Sequence, residues 1–130
     1  MSQPTVRFRV DFGLGEAVGP GKIALLEHIR ESGSLSQAAR DLDMSYRRAW
    51  LLLESLNVSF HERVAISSKG GRGGGGAALT PFGDELIRCY RAFEGEVQSR
   101  AERHFRPIAR EARKAPLKSV PAPVVRLSER

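Results

Sequence analysis

The chain has 130 residues and a mass of 14.3 kDa, enough for one domain, and its 41 % of hydrophobic residues allows a folded core. A single cysteine excludes an internal disulfide and a cysteine-rich zinc site, and three widely spaced histidines argue against any metal or cofactor site. The net charge is +6, no stretch has the roughly 20 apolar residues of a membrane span, and the start lacks a secretory signal, so we expect a cytoplasmic protein.

The positive charge is concentrated at the C-terminal end. Residues 100–130 carry nine basic and three acidic side chains, so the rest of the chain is neutral in sum. Basic ends often touch nucleic acid, but many only keep a protein in solution. Charge therefore permits nucleic-acid binding without establishing it.

The first half of the chain predicts a strand followed by a first helix. Apolar side chains alternate with polar ones at Val6, Phe8, Val10 and Phe12. This period of two is typical of a half-buried strand. The first helix is predicted to begin at Gly19-Pro20, because proline is preorganised for the first helical position, and Ser32-Gly33 ends it.

Two further helices are predicted around a tight turn. The Ser34 hydroxyl can accept from the Gln37 amide, and the Gln37 side chain can reach back, as in a capping box. Asp43 lies where a left-handed turn residue is needed, and aspartate tolerates that conformation. Ser45 is a suitable N-cap for a third helix that ends near Asn57.

The second half predicts a hairpin and a long helix. Short apolar stretches flank the basic, glycine-rich segment 69–76, which is typical of a hairpin tip. Thr80 and Pro81 begin the last helix, and Pro107 kinks or ends it. Its apolar stripe is too long for so small a domain, so we expect a second copy to cover it. The predicted dimer-interface residues are Leu86, Tyr90, Phe93 and Val97.

The helix pair within residues 35–54 fits a helix-turn-helix, which inserts its second helix into the major groove of DNA. Arg47 and Arg48 lie at the entering end, where arginine can donate two bonds to guanine. The alternative is an ordinary helical hairpin with solvated arginines. For Tyr46 and Trp50, we favour core packing over base stacking. The glycine-rich segment is interpreted as a wing that approaches the DNA backbone, rather than as a flexible linker.

Two segments, GSLSQAARDLDMSYRRAWLLLESLN and GGRGGGGAALTPFGDELI, resemble the DNA-binding domain of the ModE family of molybdate-responsive regulators. The chain is similar, more loosely, to LysR-type regulators. The resemblance implies a mainly α fold with a small β hairpin: a winged helix-turn-helix over residues 1–105, with a dimerisation helix at about 80–105 and a basic tail at 106–130. It implies DNA contacts from the second and third helices and the wing. The expected DNA-binding residues are Ser34, Ser36, Gln37, Ser45, Tyr46, Arg47, Arg48, Lys69 and Arg72.

The chain departs from the ModE pattern because it contains no Ser-Ala-Arg-Asn motif of the molybdate-binding domains. We therefore expect a stand-alone DNA-binding member whose signal arrives through a separate protein partner, a member with another signal, or a piece of a longer protein. The expected function is sequence-specific regulation by a homodimer bound to duplex DNA. The alternatives are a nucleoid-type binder of low specificity and a winged-helix module that docks on proteins. No catalytic residues are expected, since the paired glutamates have neither nucleophile nor metal beside them.

Overall fold

A computed structural model describes residues 3–13, 17–68 and 76–118. The fold is mainly α-helical, with a winged-helix arrangement followed by a long C-terminal helix. The helices are α1 (Pro20–Ser32), α2 (Leu35–Asp41), α3 (Tyr46–Ser59) and α4 (Pro81–Ala109). The strands are β1 (Val10–Asp11), β2 (Ala17–Val18), β3 (Ala65–Ser68) and β4 (Gly76–Leu79).

The starts of α2 and α3 have the predicted serine caps, and the turn between the two helices has the predicted left-handed residue. The hydroxyl of Ser34 accepts from the Gln37 amide at 3.0 Å, and that of Ser45 accepts from the Arg48 amide at 3.0 Å. Asp43 adopts the left-handed conformation, with φ at 59°. These contacts satisfy amides at both helix starts and reverse the chain within a few residues. Small side chains let the helices approach closely, and those buried here are Ala38, Ala39 and Ala49.

The hairpin of β3 and β4 is fixed to the helices by polar contacts. The strands are antiparallel, with Ala65 opposite Leu79. The side-chain oxygen of Asn57, buried at the end of α3, accepts from the Val64 amide at 2.8 Å. On the other strand, the Ala77 amide donates to the carbonyl of Gly33 at 3.0 Å. The hairpin is therefore held beside the start of α2 and along α3.

Helix α4 begins as predicted and continues slightly past its proline. Thr80 caps the helix by accepting from the Gly83 amide at 3.0 Å, and Pro81 occupies its first turn. At Gly83 the helix meets the carbonyl of Val64 so closely that a Cβ atom would overlap it. Pro107 lies inside the last turn, and the helix ends two residues later at Ala109. None of the helices in the described ranges combines the length and apolarity of a membrane span.

The predicted strand at residues 6–12 is mostly wrong. Only Val10 and Asp11 pair with another strand, and Phe12 is 55 % exposed. The preceding residues instead run beside α4, where Phe8 stacks on Tyr90 with ring centroids 4.7 Å apart. The Tyr90 hydroxyl donates to the Phe8 carbonyl at 2.9 Å. The alternating burial is real, but a helix rather than a strand supplies the neighbouring groups.

Candidate nucleic-acid interface

Helix α3 buries one face and presents the opposite one. Ala49 and Leu56 are buried in the core, whereas Arg47, Leu51 and Val58 are exposed along the other side. This separation follows from the 3.6-residue period of the helix. Within the part of the chain that the structure describes, the side chain of Arg47 makes no hydrogen bond or ion pair. Its guanidinium is therefore available to an external acceptor.

Arg48 also lies in the first turn of α3, but on another side of the helix. Its backbone amide caps on Ser45, while its exposed side chain lines a groove against the start of α1. Met44 and Leu52 line the same groove. The two arginines that sequence reasoning treated together thus face different surroundings.

Tyr46 and Trp50 occupy the side of α3 toward the hairpin. The prediction that they pack in the core is wrong, since they are 54 % and 46 % exposed. Positions 46 and 50 are rotated away from the core face, where the small Ala49 meets α2. Both rings line a groove of about 350 Å³ between α3 and the hairpin, which we call the wing groove. Its walls also include Ser36 and Arg63.

The polar residues around the start of α2 divide into separate roles. Ser34 is occupied by capping, and Ser36 is exposed toward the wing groove. The predicted return of the Gln37 side chain to Ser34 is wrong, because its amide donates to Asp41 at 2.8 Å. Arg40 in turn donates to the Gln37 oxygen at 2.8 Å. The Gln37 hydrogen bond lowers the pKa of Asp41 and keeps that carboxylate charged.

The tip of the wing lies outside the described residues. Lys69 and Arg72 both fall there, so their predicted contacts with DNA stay predictions. The strands that carry the tip are described, and they emerge beside the wing groove.

The apolar stripe of α4 divides into a buried and an uncovered part. Leu86 and Tyr90 belong to the core of this chain, so the expectation that a second copy must bury them is wrong. Burial also raises the pKa of the Tyr90 hydroxyl. Phe93 is 48 % exposed, Val97 is half-buried, and apolar side chains continue to the helix end. Cys89 is exposed beside this stripe.

Sequence reasoning missed an ion-pair network between α1 and α4. Arg91 binds Glu27 through two bonds of 2.9 and 2.7 Å and reaches Glu94 at 2.7 Å. The Arg91 hydrogen bond lowers the pKa of Glu27, and both carboxylates raise the pKa of Arg91. No local pattern indicates this pairing, because 64 residues separate Glu27 from Arg91. Among the described residues, no group of three or more histidine, cysteine or acidic side chains is arranged to hold a metal.

Comparison with known proteins finds similar proteins whose names refer to molybdenum or to transcriptional regulation. The chain is 37 % identical to the molybdenum transport protein ModE of Azotobacter vinelandii, over 75 % of this chain and 36 % of that protein. It is 41 % identical to the molybdenum-pterin-binding protein MopB of Rhodobacter capsulatus, over 64 % of this chain and 31 % of that protein. It is 40 % identical to the DNA-binding transcriptional dual regulator ModE of Escherichia coli K12, over 63 % of this chain and 31 % of that protein.

The chain thus shares this sequence similarity with part of several ModE proteins. The expected resemblance is confirmed to that extent, and the Escherichia coli relative is named a DNA-binding transcriptional dual regulator. The chain spans about a third of the length of the relatives it matches. No family model matches the chain.

Proposed function

We propose that this protein is a ModE-type, sequence-specific transcriptional regulator that binds duplex DNA as a homodimer. The observation that carries the proposal is Arg47, which stands without an internal partner among the described residues, on the exposed face of a helix-turn-helix. A guanidinium in that position can donate two parallel bonds to the O6 and N7 atoms of guanine. The relationship to ModE regulators supports the same function.

The proposed complex places α3 in the major groove and the wing on the adjacent backbone. Ser45 and Tyr46 enter with the start of α3, while Ser34, Ser36 and Gln37 approach from α2. Gln37 must give up its bond to Asp41 before it contacts DNA, so we rank it below the others. Lys69 and Arg72 neutralise phosphates from the wing tip.

The proposed dimer forms through the second half of α4. Phe93 and Val97 are incompletely covered, and the exposed Phe105 and Ile108 extend the apolar surface. Pairing two copies along this surface removes it from water and sets two copies of α3 on successive turns of DNA. Residues 1–105 form the DNA-binding and dimerisation unit in this scheme, and residues 106–130 are a basic tail. The proposed regulator acts in the cytoplasm without enzymatic activity, and its signal either comes through a separate protein partner or is one other than molybdate.

Selection from a pool of randomised duplexes tests the proposal. The wild-type protein should enrich one inverted-repeat sequence and bind it at least about 1,000-fold more tightly than a scrambled duplex, within the usual range for specific binding. Fluorescence anisotropy at fixed salt measures both affinities. A ratio near one would identify a nucleoid-type binder, and failure to bind any duplex at low salt would favour a protein-docking module.

A further inference from the structure

A second groove borders α3 on the side away from the hairpin. We call it the basic groove, and its volume is about 290 Å³, roughly ten times the ~30 Å³ that a water molecule occupies in the liquid. Three cationic side chains from three different parts of the chain line it: Arg9 before β1, Lys22 in the first turn of α1, and Arg48 in the first turn of α3. No carboxylate is among its described lining residues. The groove therefore favours an anion.

Arg9 is positioned by its contact with Gly19. A Cβ atom added to Gly19 would lie 2.9 Å from Cγ of Arg9, and the three nearest heavy atoms to that position all belong to Arg9. The φ of Gly19 is −130°, which any residue adopts, so the backbone alone does not demand glycine. The absence of a side chain is what lets Arg9 lie across the start of α1.

The start of α1 adds to the positive character of the groove. Gly19 is the N-cap but offers no side-chain oxygen, and the first turn of the helix carries no acid. Its amides and the positive end of the helix dipole thus lack their usual side-chain complement. The Lys22 ammonium is held by the Ala17 carbonyl at 2.8 Å and the Ser55 hydroxyl at 2.9 Å, which fixes this cation between α1 and α3.

Resting on the proposed function, we propose that the basic groove is a phosphate-binding site for one backbone of duplex DNA. A helix in the major groove lies between two sugar-phosphate backbones. Helix α3 likewise lies between two grooves, the wing groove on one side and the basic groove on the other. Arg48 then binds phosphate together with Arg9, and Arg47 between the grooves reads the base.

A salt titration of Arg9→Gln on a duplex of mixed sequence, about three helical turns long, tests the site, since phosphate contacts do not depend on sequence. The slope of log affinity against log salt should fall by about 0.9 for each phosphate that the variant no longer neutralises, and by twice that in a symmetric dimer. The matched control is Arg7→Gln, which removes the same charge from an exposed residue of the same segment outside the groove. The control should keep the wild-type slope. Equal reductions in both variants would assign the effect to general charge and overturn the site.

Gly19→Ala tests the position of Arg9 without removing its charge. The added Cβ displaces the Arg9 side chain, so this variant should reproduce most of the weakening seen in Arg9→Gln. The double variant should bind no more weakly than Arg9→Gln alone, because both changes act on the same interaction with phosphate. Circular dichroism checks that all variants fold. Additive effects would contradict the arrangement.

A last experiment tests whether the basic groove binds the phosphates of duplex DNA or a free oxyanion. Inorganic phosphate at millimolar concentration should leave the melting temperature unchanged, because an open groove holds phosphate only when the duplex supplies it. Stabilisation of wild type but not of Arg9→Gln by phosphate, with DNA binding unchanged, would identify a free-anion site and overturn the proposal. If wild type binds no duplex, the proposed function itself fails. If the wild-type protein binds duplex DNA but Arg48→Gln and Arg9→Gln both keep the wild-type salt slope, the phosphate site is overturned. The proposed function is unaffected by that result.

Discussion

Helices α3 and α4 each pack one side against the core and expose another side to solvent, but the side chains on the two exposed sides differ in chemistry. On α3 the exposed face begins with Arg47 and continues with Leu51 and Val58, while Tyr46 and Trp50 lie toward the hairpin. On α4 the part after Tyr90 carries an exposed apolar stripe, with Phe93 half exposed, among charged side chains such as Arg103 and Arg106. A cationic and aromatic face suits a polyanion, whereas an apolar stripe suits a second protein surface. The difference would let the proposed DNA binding and the proposed pairing of two copies use separate surfaces of the chain.

The core half of α4 should show the largest effect. Leu86→Ala removes a side chain that is packed in the core cluster, and we expect the unfolding free energy to fall by about 2–5 kcal/mol. Urea denaturation followed by circular dichroism measures it. Arg88→Ala is the control, since Arg88 is exposed on the same turn and should change stability by less than about 0.5 kcal/mol. If Leu86→Ala and Arg88→Ala lowered the unfolding free energy equally, the buried and exposed sides of this part of α4 would contribute equally to stability, contrary to the prediction.

The open half of α4 should control assembly rather than folding. Phe93→Asp places a charge in the proposed dimer surface, so light scattering should show monomers and DNA binding should weaken strongly. Phe93 also contacts the Phe8 ring, with centroids 5.4 Å apart, so the fold is checked by circular dichroism. The conservative Phe93→Leu should stay dimeric. A monomeric wild-type protein at micromolar concentration would remove the dimer proposal.

The open face of α3 should determine sequence preference. Arg47→Ala should cost about 1–3 kcal/mol on the selected duplex and relax preference at one base of each half-site. Arg48→Ala should instead weaken binding to selected and scrambled duplexes alike. Anisotropy on single-base variants of the duplex distinguishes these outcomes. If Arg47→Ala leaves the specificity ratio intact, α3 does not read the bases through this residue.

The ion pair that joins α1 to α4 should have a small, pH-dependent effect. The folded pKa of Glu27 lies below its ordinary 4.5, so its contribution is present above that pH and is lost as the pH falls through the folded pKa. Both side chains are partly exposed, which limits the stabilisation to less than about 1 kcal/mol. Glu27→Gln should be less stable than wild type near neutral pH and approach it in acid. Glu31→Gln removes the same charge from an exposed residue of the same helix and is the control for the loss of one carboxylate.

Molybdate should have no effect on the melting temperature of this chain. A ligand at about 100 times its dissociation constant adds about 2.7 kcal/mol, which is several degrees for a domain of this size. We expect no shift with millimolar molybdate or tungstate, because this sequence contains no Ser-Ala-Arg-Asn motif. A reproducible shift in scanning calorimetry would contradict this expectation.

Local signals predicted much of the fold. Ser34, Ser45 and Thr80 each cap a helix by accepting from an amide three residues further on. The donor and the acceptor therefore both lie within a four-residue segment of the sequence. The left-handed turn at Asp43 and the two strands around the glycine-rich segment are equally local. The same local patterns placed Arg47 at the exposed start of α3.

Contacts between distant residues were not predictable in the same way. The bond from Tyr90 to Phe8 spans 82 residues, and alternation alone could not show that a helix would be the neighbour of the N-terminal segment. The exposure of Trp50 depends on how α2 fills the core with alanines, which the helical period of α3 does not reveal. The separate surroundings of Arg47 and Arg48 likewise arise from the position of α1.

The close contact between Gly83 and the Val64 carbonyl determines the direction in which the long helix α4 leaves the domain. The helix backbone rests directly on the Val64 carbonyl, so any side chain at this position must push the start of α4 away from β3. With 29 residues at about 1.5 Å each, α4 is ~43 Å long, and a tilt of about 5° at its start would move its far end by ~4 Å. In the proposed dimer, one methyl group at position 83 would thereby change the distance between the two copies of α3. The spacing of half-sites that such a dimer accepts is thus expected to depend on a residue outside the proposed DNA contacts.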